Sequence, residues 1–273
     1  DFAPGSGERD TWNDIVLRGR LRNAVRNLNP GVPEEYLDQA IGEVITPKSQ
    51  SAIAENRRIH QILVEGYRGI EYIDHEGNVQ NPTIYFLSSQ PHKNDYLSLN
   101  QVTIANLDGE RRFDVVCYVN GMPLAFIELK KTGANTSVEG AYNQLQTYVQ
   151  EFGMAFRFAN IVIPSDDLSA KYGTPFTPWN HFAPWNVNED GSPVDPNNMV
   201  VAGEPVTQLD LLLDGLFNVE RFGQLYSDFT AFDDTAEGLV MRIAKPHQYF
   251  AVTKAVGSTI TAARGDKRAG VIW

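Results

Sequence analysis

Three features of this 273-residue chain predict an α/β fold, a mixed sheet flanked by helices. Two apolar runs flank Asn120-Gly121, the dipeptide that most strongly signals a β-hairpin. Arg157 to Pro164 (RFANIVIP) is a nearly continuous apolar run, the pattern of a strand covered on both faces. Segments of helical periodicity precede and follow the hairpin, so helices can cover such a sheet.

Taken in order, residues 1–10 form an arm rich in small and polar residues. Trp12 to Leu28 alternates apolar and basic positions at helical spacing until Asn29-Pro30-Gly31 stops it. Pro33 to Ile45 reads as a second helix, with Pro33 near its first turn and Glu34-Glu35 favourable at its N-terminus. Ser49 to Gly66 is a third, with Ile53, Ile59, Ile62 and Leu63 on one stripe. Ile70 to Ile73, Thr83 to Leu87 and Tyr96 to Ile104 are short β-rich runs. Phe113 to Val119 and Leu124 to Lys130 are the hairpin strands, and Val138 to Gln150 is a helix.

The hairpin gathers charge. A turn of about two to four residues at Asn120-Gly121 sets Asp114 opposite Ile127 to Leu129, beside Glu128. Side chains alternate along a strand, so Glu128 and Lys130 share one face while Ile127 and Leu129 point the other way, into a core. Two carboxylates this close repel unless a cation joins them, and oxygen ligands of this kind suit Mg²⁺ or Mn²⁺. A lysine beside such a metal can orient or help deprotonate a water for attack on phosphorus. Each element alone is ordinary: E-x-K is common on strands, and Gln144 with Tyr148 at i and i+4 is what helix packing produces. Their order and spacing together are what point to a site.

Asp114 followed by Glu128-Leu129-Lys130 resembles the PD-(D/E)XK nuclease signature, and Gln144 with Tyr148 matches the QxxxY element of one branch of that superfamily. The wording DVVCYVNGMPLAFIELKK resembles the R subunit of type I restriction-modification enzymes. Phe113 departs from the proline that many members carry before the aspartate, at a position without chemistry. The resemblance implies a PD-(D/E)XK restriction-endonuclease-like core over residues 1–170. It implies Mg²⁺-dependent hydrolysis of double-stranded DNA, with Asp114 and Glu128 holding the metal, Lys130 positioning water, and Gln144 and Tyr148 bracing the site or contacting the DNA backbone. It also implies methyltransferase and specificity subunits as partners. A helix before the hairpin sometimes adds an acidic residue in this fold. Glu43 and Glu55 are the candidates, each also readable as a helix-surface charge.

The character of the chain changes from Asp166 onward, and residues 171–205 read as an irregular Pro- and Asn-rich linker or insertion. Trp179, Phe182 and Trp185 there suit either base stacking or pinning the segment to the protein body. Residues 206–273 resemble the helical start of a superfamily 2 motor domain. Val206–Phe217 and Glu220–Phe232 read as amphipathic helices, and a third runs from Pro246 to about Arg264. Gln248 matches the adenine-reading glutamine of such motors, relevant only with ATP in a full-length protein; a cap or surface glutamine is the plain alternative. Ala269–Trp273 reads as a strand. In the R-subunit family it leads into the phosphate loop, and no G-x-x-x-x-G-K-S/T occurs in these residues.

Composition sets bounds. With 42% hydrophobic and 21% charged residues, a globular protein of this length can bury a sizeable core, and no apolar run approaches the roughly 20 residues of a membrane span. A lone Cys117 excludes an internal disulfide and fits a small core residue in a reducing cytoplasm. Five scattered histidines lack zinc-ligand spacing. The net charge of −11 opposes generic nucleic-acid affinity, so the grip on DNA belongs largely to other parts of an assembly. Two other readings use the same residues: a non-catalytic docking or coupling domain of a DNA-processing complex, and a PD-(D/E)XK nuclease of another system.

Overall fold

The computed structural model describes residues 2–106, 109–131, 137–166, 168–196, 200–201, 204–265 and 268. Three helices come first: α1 (Arg18–Leu28), α2 (Glu34–Ile45) and α3 (Ala52–Glu65). The first starts later than its periodicity suggests. Asp14 takes the backbone N–H of Thr11 at 2.8 Å and its hydroxyl at 2.9 Å, and this local turn competes with helix. The N-terminal arm is anchored, with Arg9 buried and its Nη2 donating to the Thr103 carbonyl at 2.8 Å. A two-residue ribbon comes next, β1 (Tyr72–Ile73) with β2 (Val79–Gln80). The expected strand at Thr83–Leu87 reduces to one bridge, Tyr67 to Ile84.

The central sheet has the order β3-β4-β5-β6: β3 (Tyr96–Asn106), β4 (Gly109–Val119), β5 (Met122–Leu129) and β6 (Ile161–Ser165). The first three strands are antiparallel and the last is parallel to β5. Helix α4 (Val138–Glu151) makes the crossover between β5 and β6, as a parallel pair requires. The sheet is therefore mixed, as expected. The β4–β5 turn is Asn120-Gly121 alone, because Val119 pairs with Met122, and both turn residues have positive φ, 52° and 77°. Asn120 is fully buried, and its carboxamide binds the Phe86 carbonyl at 2.8 Å and the Asp95 N–H at 2.7 Å. A side chain at Gly121 would meet the Leu17 carbonyl at 2.4 Å, so α1 is seated directly on the turn.

Of the expected strand at 157–164 only Ile161 to Pro164 pairs, and the ladder runs one residue further, to Ser165. Gly153–Phe158 coils into a 3₁₀ turn instead, and Asn56 of α3 takes the Phe156 and Ala159 carbonyls at 3.1 and 2.8 Å. These carbonyls are therefore diverted from any ladder.

The irregular segment after β6 is well packed. Trp185 is 1% exposed, with its ring near Tyr172, Tyr249 and Phe250, and Phe182 is buried too. A short ribbon joins β7 (Val200–Val201) to β8 (Glu204–Pro205). Then come α5 (Gln208–Leu216) and α6 (Val219–Ser227). The helix expected to reach Phe232 stops at Ser227. The Thr230 hydroxyl donates to the Leu225 carbonyl at 2.8 Å, and β9 (Thr230–Thr235) forms a hairpin with β10 (Gly238–Ile243). Helix α7 (Pro246–Arg264) closes the described chain, and the strand expected at 269–273 lies outside the described residues. Among the described residues no helix is long and apolar enough to cross a membrane.

One buried cluster links Phe126, Phe156, Ile161 and Tyr118 at the sheet with Leu212, Leu216 and Leu225 of α5 and α6. Leu129 corrects an expectation. It is 40% exposed and lines an apolar groove with Ile127, Cys117, Leu213 and Phe217, whereas Ile127 is buried. Cys117 is half-buried in the same groove, and burial pushes its thiol up to about 11, which keeps it protonated and unreactive.

Candidate active site

The site forms where β4 leaves β5. Their ladder runs to Val115–Ile127 and stops, which leaves Asp114 facing Glu128 without a backbone pair. The Asp114 carboxylate replaces the missing ladder: its Oδ2 accepts the Leu129 N–H at 2.9 Å. Its Oδ1 accepts from Gln101 Nε2 of β3 at 3.1 Å. Strand β5 continues beside β6 as far as the Lys130 N–H, which donates to the Ser165 carbonyl at 2.8 Å. This pairing fixes the backbone on both sides of Glu128.

Glu128 is 2% exposed, and Lys130 Nζ donates to its Oε1 at 3.2 Å. The same ammonium donates to Gln144 Oε1, and Gln144 Nε2 donates to the Tyr148 hydroxyl. Helix α4 supplies both residues from one face. It is started by Ser137, whose hydroxyl accepts the Gly140 N–H at 3.1 Å, and the Tyr148 ring packs edge-on against Phe113 of β4. All five sequence-predicted residues thus converge: Asp114, Glu128, Lys130, Gln144 and Tyr148 line one open cleft.

The electrostatics are unbalanced. The Asp114 and Glu128 carboxyl groups lie within hydrogen-bonding reach of each other. Burial first, and then the Asp114 charge, push Glu128 up to about 7 against the opposing pull of Lys130. Burial also raises Tyr148, with the nearby carboxylates adding to it, so the phenol stays protonated. Two carboxylates in this position need a shared proton or a cation. The pair lines the cleft, and two carboxylates there could hold a hard divalent ion that fills its remaining positions with water or phosphate. Among the described residues no group of three or more His, Cys, Asp or Glu is arranged for a metal.

The other candidates lie apart from the cleft. Glu43 pairs with Lys48 at 2.8 Å. Glu55, expected at the surface, is 1% exposed and bound by Arg58 at 2.7 Å, because its face of α3 packs inward. Gln248 borders a different cavity and caps α7 by accepting the Lys245 N–H at 2.8 Å. The cleft adds Gln101 through its bond to Asp114, and Thr103 and Arg112 through its lining, none of which the signature singled out. Gln101 did leave a trace: apolar alternation at Leu97 and Leu99 resumes one residue late, at Val102 and Ile104.

Known proteins resemble this chain along most of its length. The family described as type I restriction enzyme R protein N terminus matches residues 2–181. The type I restriction enzyme HindI endonuclease subunit of Haemophilus influenzae is 30% identical over 276 residues, covering 98% of this chain and 25% of that protein. A relative from Methanocaldococcus jannaschii, named for the type I restriction enzyme MjaIXP endonuclease subunit, is 27% identical over 290 residues, covering all of this chain and 27% of its own length. The EcoprrI endonuclease subunit of Escherichia coli is 28% identical over 194 residues, covering 62% of this chain and 58% of its own. The chain thus spans about a quarter of the first two relatives. Its mixed sheet, crossover helix and flanking helices make the PD-(D/E)XK-like core that the resemblance implied. With a family match over most of its length and a site assembled from the expected residues, the chain belongs to the type I restriction enzyme R protein N-terminal family.

Proposed function

We propose that this chain carries the DNA-cleaving site of a type I restriction enzyme R subunit and hydrolyses phosphodiester bonds with Mg²⁺ or Mn²⁺. The observation that carries the reading is the contact of two carboxylates, one buried, joined through Lys130 to Gln144 and Tyr148. Asp114 and Glu128 would hold the ion. When bound, it offsets their repulsion, polarises the scissile phosphate and lowers the pKa of a water. Lys130 holds its ammonium between Glu128 and Gln144, where it can orient the attacking water or steady charge developing on phosphate oxygens. The Gln144 carboxamide, anchored by the protonated Tyr148 hydroxyl, fixes the direction of that ammonium. The water oxygen bonds to phosphorus and gives up one proton, one P–O ester bond breaks, and the leaving oxygen takes up one proton, so that one water is consumed.

In the whole subunit, ATP-driven translocation by a motor domain would bring double-stranded DNA to this cleft. Residues 206–273 would begin that domain, and Gln248 would read adenine. Methyltransferase and specificity subunits would choose the target in the cytoplasm. That division of labour suits a chain with net charge −11, since other parts would provide most of the phosphate contacts. The same charge favours a second reading, a partner-docking domain without chemistry.

The test uses the assembled enzyme with Asp114→Ala and Glu128→Ala. Cleavage should fall about 1,000-fold or more with assembly and ATP hydrolysis retained. Calorimetry on the chain should show Mn²⁺ binding lost in both variants. Cleavage at the unmodified rate would remove the proposed site and leave the docking reading.

A further inference from the structure

We infer that Gln101 is a positioning residue for the metal-binding carboxylate Asp114, an inference that rests on the nuclease reading above. Gln101 lies within β3, where neighbouring pairs Asn100–Val115 and Val102–Phe113 set it directly opposite Asp114. Its φ is 55°, in the left-handed region. Among the described residues only one other non-glycine has a positive φ: Asn120, in a two-residue hairpin turn that demands it. No turn demands it at Gln101, which sits inside a strand with paired residues on both sides.

The left-handed step has a structural consequence. Beyond it, β4 buries Val116 and Tyr118; before it, β4 buries Phe113 and β3 buries Val102 and Ile104. The inward parity of both strands therefore changes at the Gln101–Asp114 step. A regular ladder could not bury Phe113 and Val116 on one side of the sheet, since they are three residues apart. Asp114 stands at the reversal, opposite Gln101.

A glycine would reach this backbone conformation without steric opposition, and a strand interior gives no other reason for a glutamine there. The side chain accounts for it. Gln101 Nε2 donates to Asp114 Oδ1 at 3.1 Å while the Leu129 N–H donates to Oδ2 at 2.9 Å. Both carboxylate oxygens are then fixed, and each keeps a lone pair for an ion. Without the Gln101 bond one oxygen remains tethered and the carboxylate can turn about it. Gln101 acts through Asp114 and contacts no reacting atom. Partners that orient a metal ligand in this way affect affinity by about 10-fold or more.

Gln101→Gly and Gln101→Ala separate the side chain from the backbone. Each is measured in the assembled enzyme by Mn²⁺ titration, following free Mn²⁺ by electron paramagnetic resonance, and by DNA cleavage against Mg²⁺ concentration. Glu128→Ala runs beside them. The expected result is a Mn²⁺ Kd about 10-fold weaker in both Gln101 variants and a matching rise in the Mg²⁺ needed for half-maximal cleavage. Gln101→Gly should melt no lower than the natural protein, because glycine relieves the left-handed backbone. Unchanged Mn²⁺ affinity in both variants, with Glu128→Ala inactive, would overturn the inference and leave the nuclease reading standing. Full cleavage by Glu128→Ala would instead overturn the nuclease reading, and the inference with it.

Discussion

Glu55 and Glu128 are both buried glutamates, 1% and 2% exposed, and both touch a basic side chain. Their environments differ in what else is nearby. Burial works to raise the Glu55 carboxyl. The Arg58 guanidinium and the backbone N–H groups of Lys48 and Ser49 outweigh it and hold Glu55 below its ordinary range. Arg58 is itself fully engaged, reaching the Glu43, Val44 and Thr46 carbonyls. Glu128 has Lys130 at 3.2 Å, but it also has Asp114, and it is pushed up to about 7. One carboxylate is satisfied by the protein and ties α3 to the end of α2. The other is left to a shared proton or a cation. A buried charge alone therefore says little about function; an unbalanced one in an open cleft is the informative case.

The largest effect expected from this contrast is on cleavage. Glu128→Gln should lower it by about 1,000-fold, roughly 4 kcal/mol of transition-state stabilisation, because the amide is a poor ligand for a hard cation. Glu55→Gln, assayed as cleavage per folded enzyme, should stay within about 3-fold of the natural protein, as expected of a group with only structural partners. Equal losses in the two variants would erase the distinction.

Stability should reverse the order. Arg58→Ala leaves Glu55 buried without its partner and should cost about 3 kcal/mol in urea unfolding. In EDTA, Glu128→Gln should instead stabilise the protein by up to about 3 kcal/mol at pH 8, since it removes an ionised buried carboxylate. The pH dependence comes from the shifts. Glu128 is raised from 4.5 to about 7, so between those values the folded state holds more protons than the unfolded one, and stability falls as pH rises. The advantage of Glu128→Gln should therefore vanish near pH 4.5. Glu55 is lowered, so its contribution is present above the unfolded pKa near 4.5 and is lost as pH falls through the folded value. Glu55→Gln should flatten the acid limb of the stability curve and leave the neutral region unchanged in slope.

How much of this was legible in the sequence depends on the distance over which each feature is decided. The hairpin and its two-residue turn are local to Asn120-Gly121, but Asp114 comes opposite Glu128 only because the register shifts by one residue between Cys117 and Tyr118, a bulge that the turn alone does not dictate. Gln144 and Tyr148 join them because one helix begins eight residues after Leu129, at Ser137, and carries both on one face. The burial of Glu55 was not legible: it depends on which side of α3 meets the turn at 153–158, about 100 residues away. The β9–β10 hairpin was missed for another reason. The helical spacing of Phe222, Leu225 and Tyr226 continues into Phe229 and Phe232, and only the Thr230 hydroxyl and strand pairing break it. The cluster around Trp185 likewise gathers Arg221 and Tyr249 from separate helices, and no local pattern records that meeting.

The smallest effects test the supports of each glutamate. Ser51 starts α3, with its hydroxyl accepting the Ala54 N–H at 3.4 Å; Ser51→Ala should cost about 1 kcal/mol of stability and leave cleavage unchanged. Tyr148→Phe keeps the ring against Phe113 and removes only the hydroxyl that anchors Gln144. Losing that one hydrogen bond is worth about 1 kcal/mol, which should appear as roughly a 5-fold slower cleavage step. Because the bond lies at the cleft and not between packed elements, urea unfolding should shift little. If Tyr148→Phe instead destabilised the fold and left cleavage untouched, the path from Tyr148 through Gln144 to Lys130 would be packing. The active cluster would then shrink to the two carboxylates and the lysine.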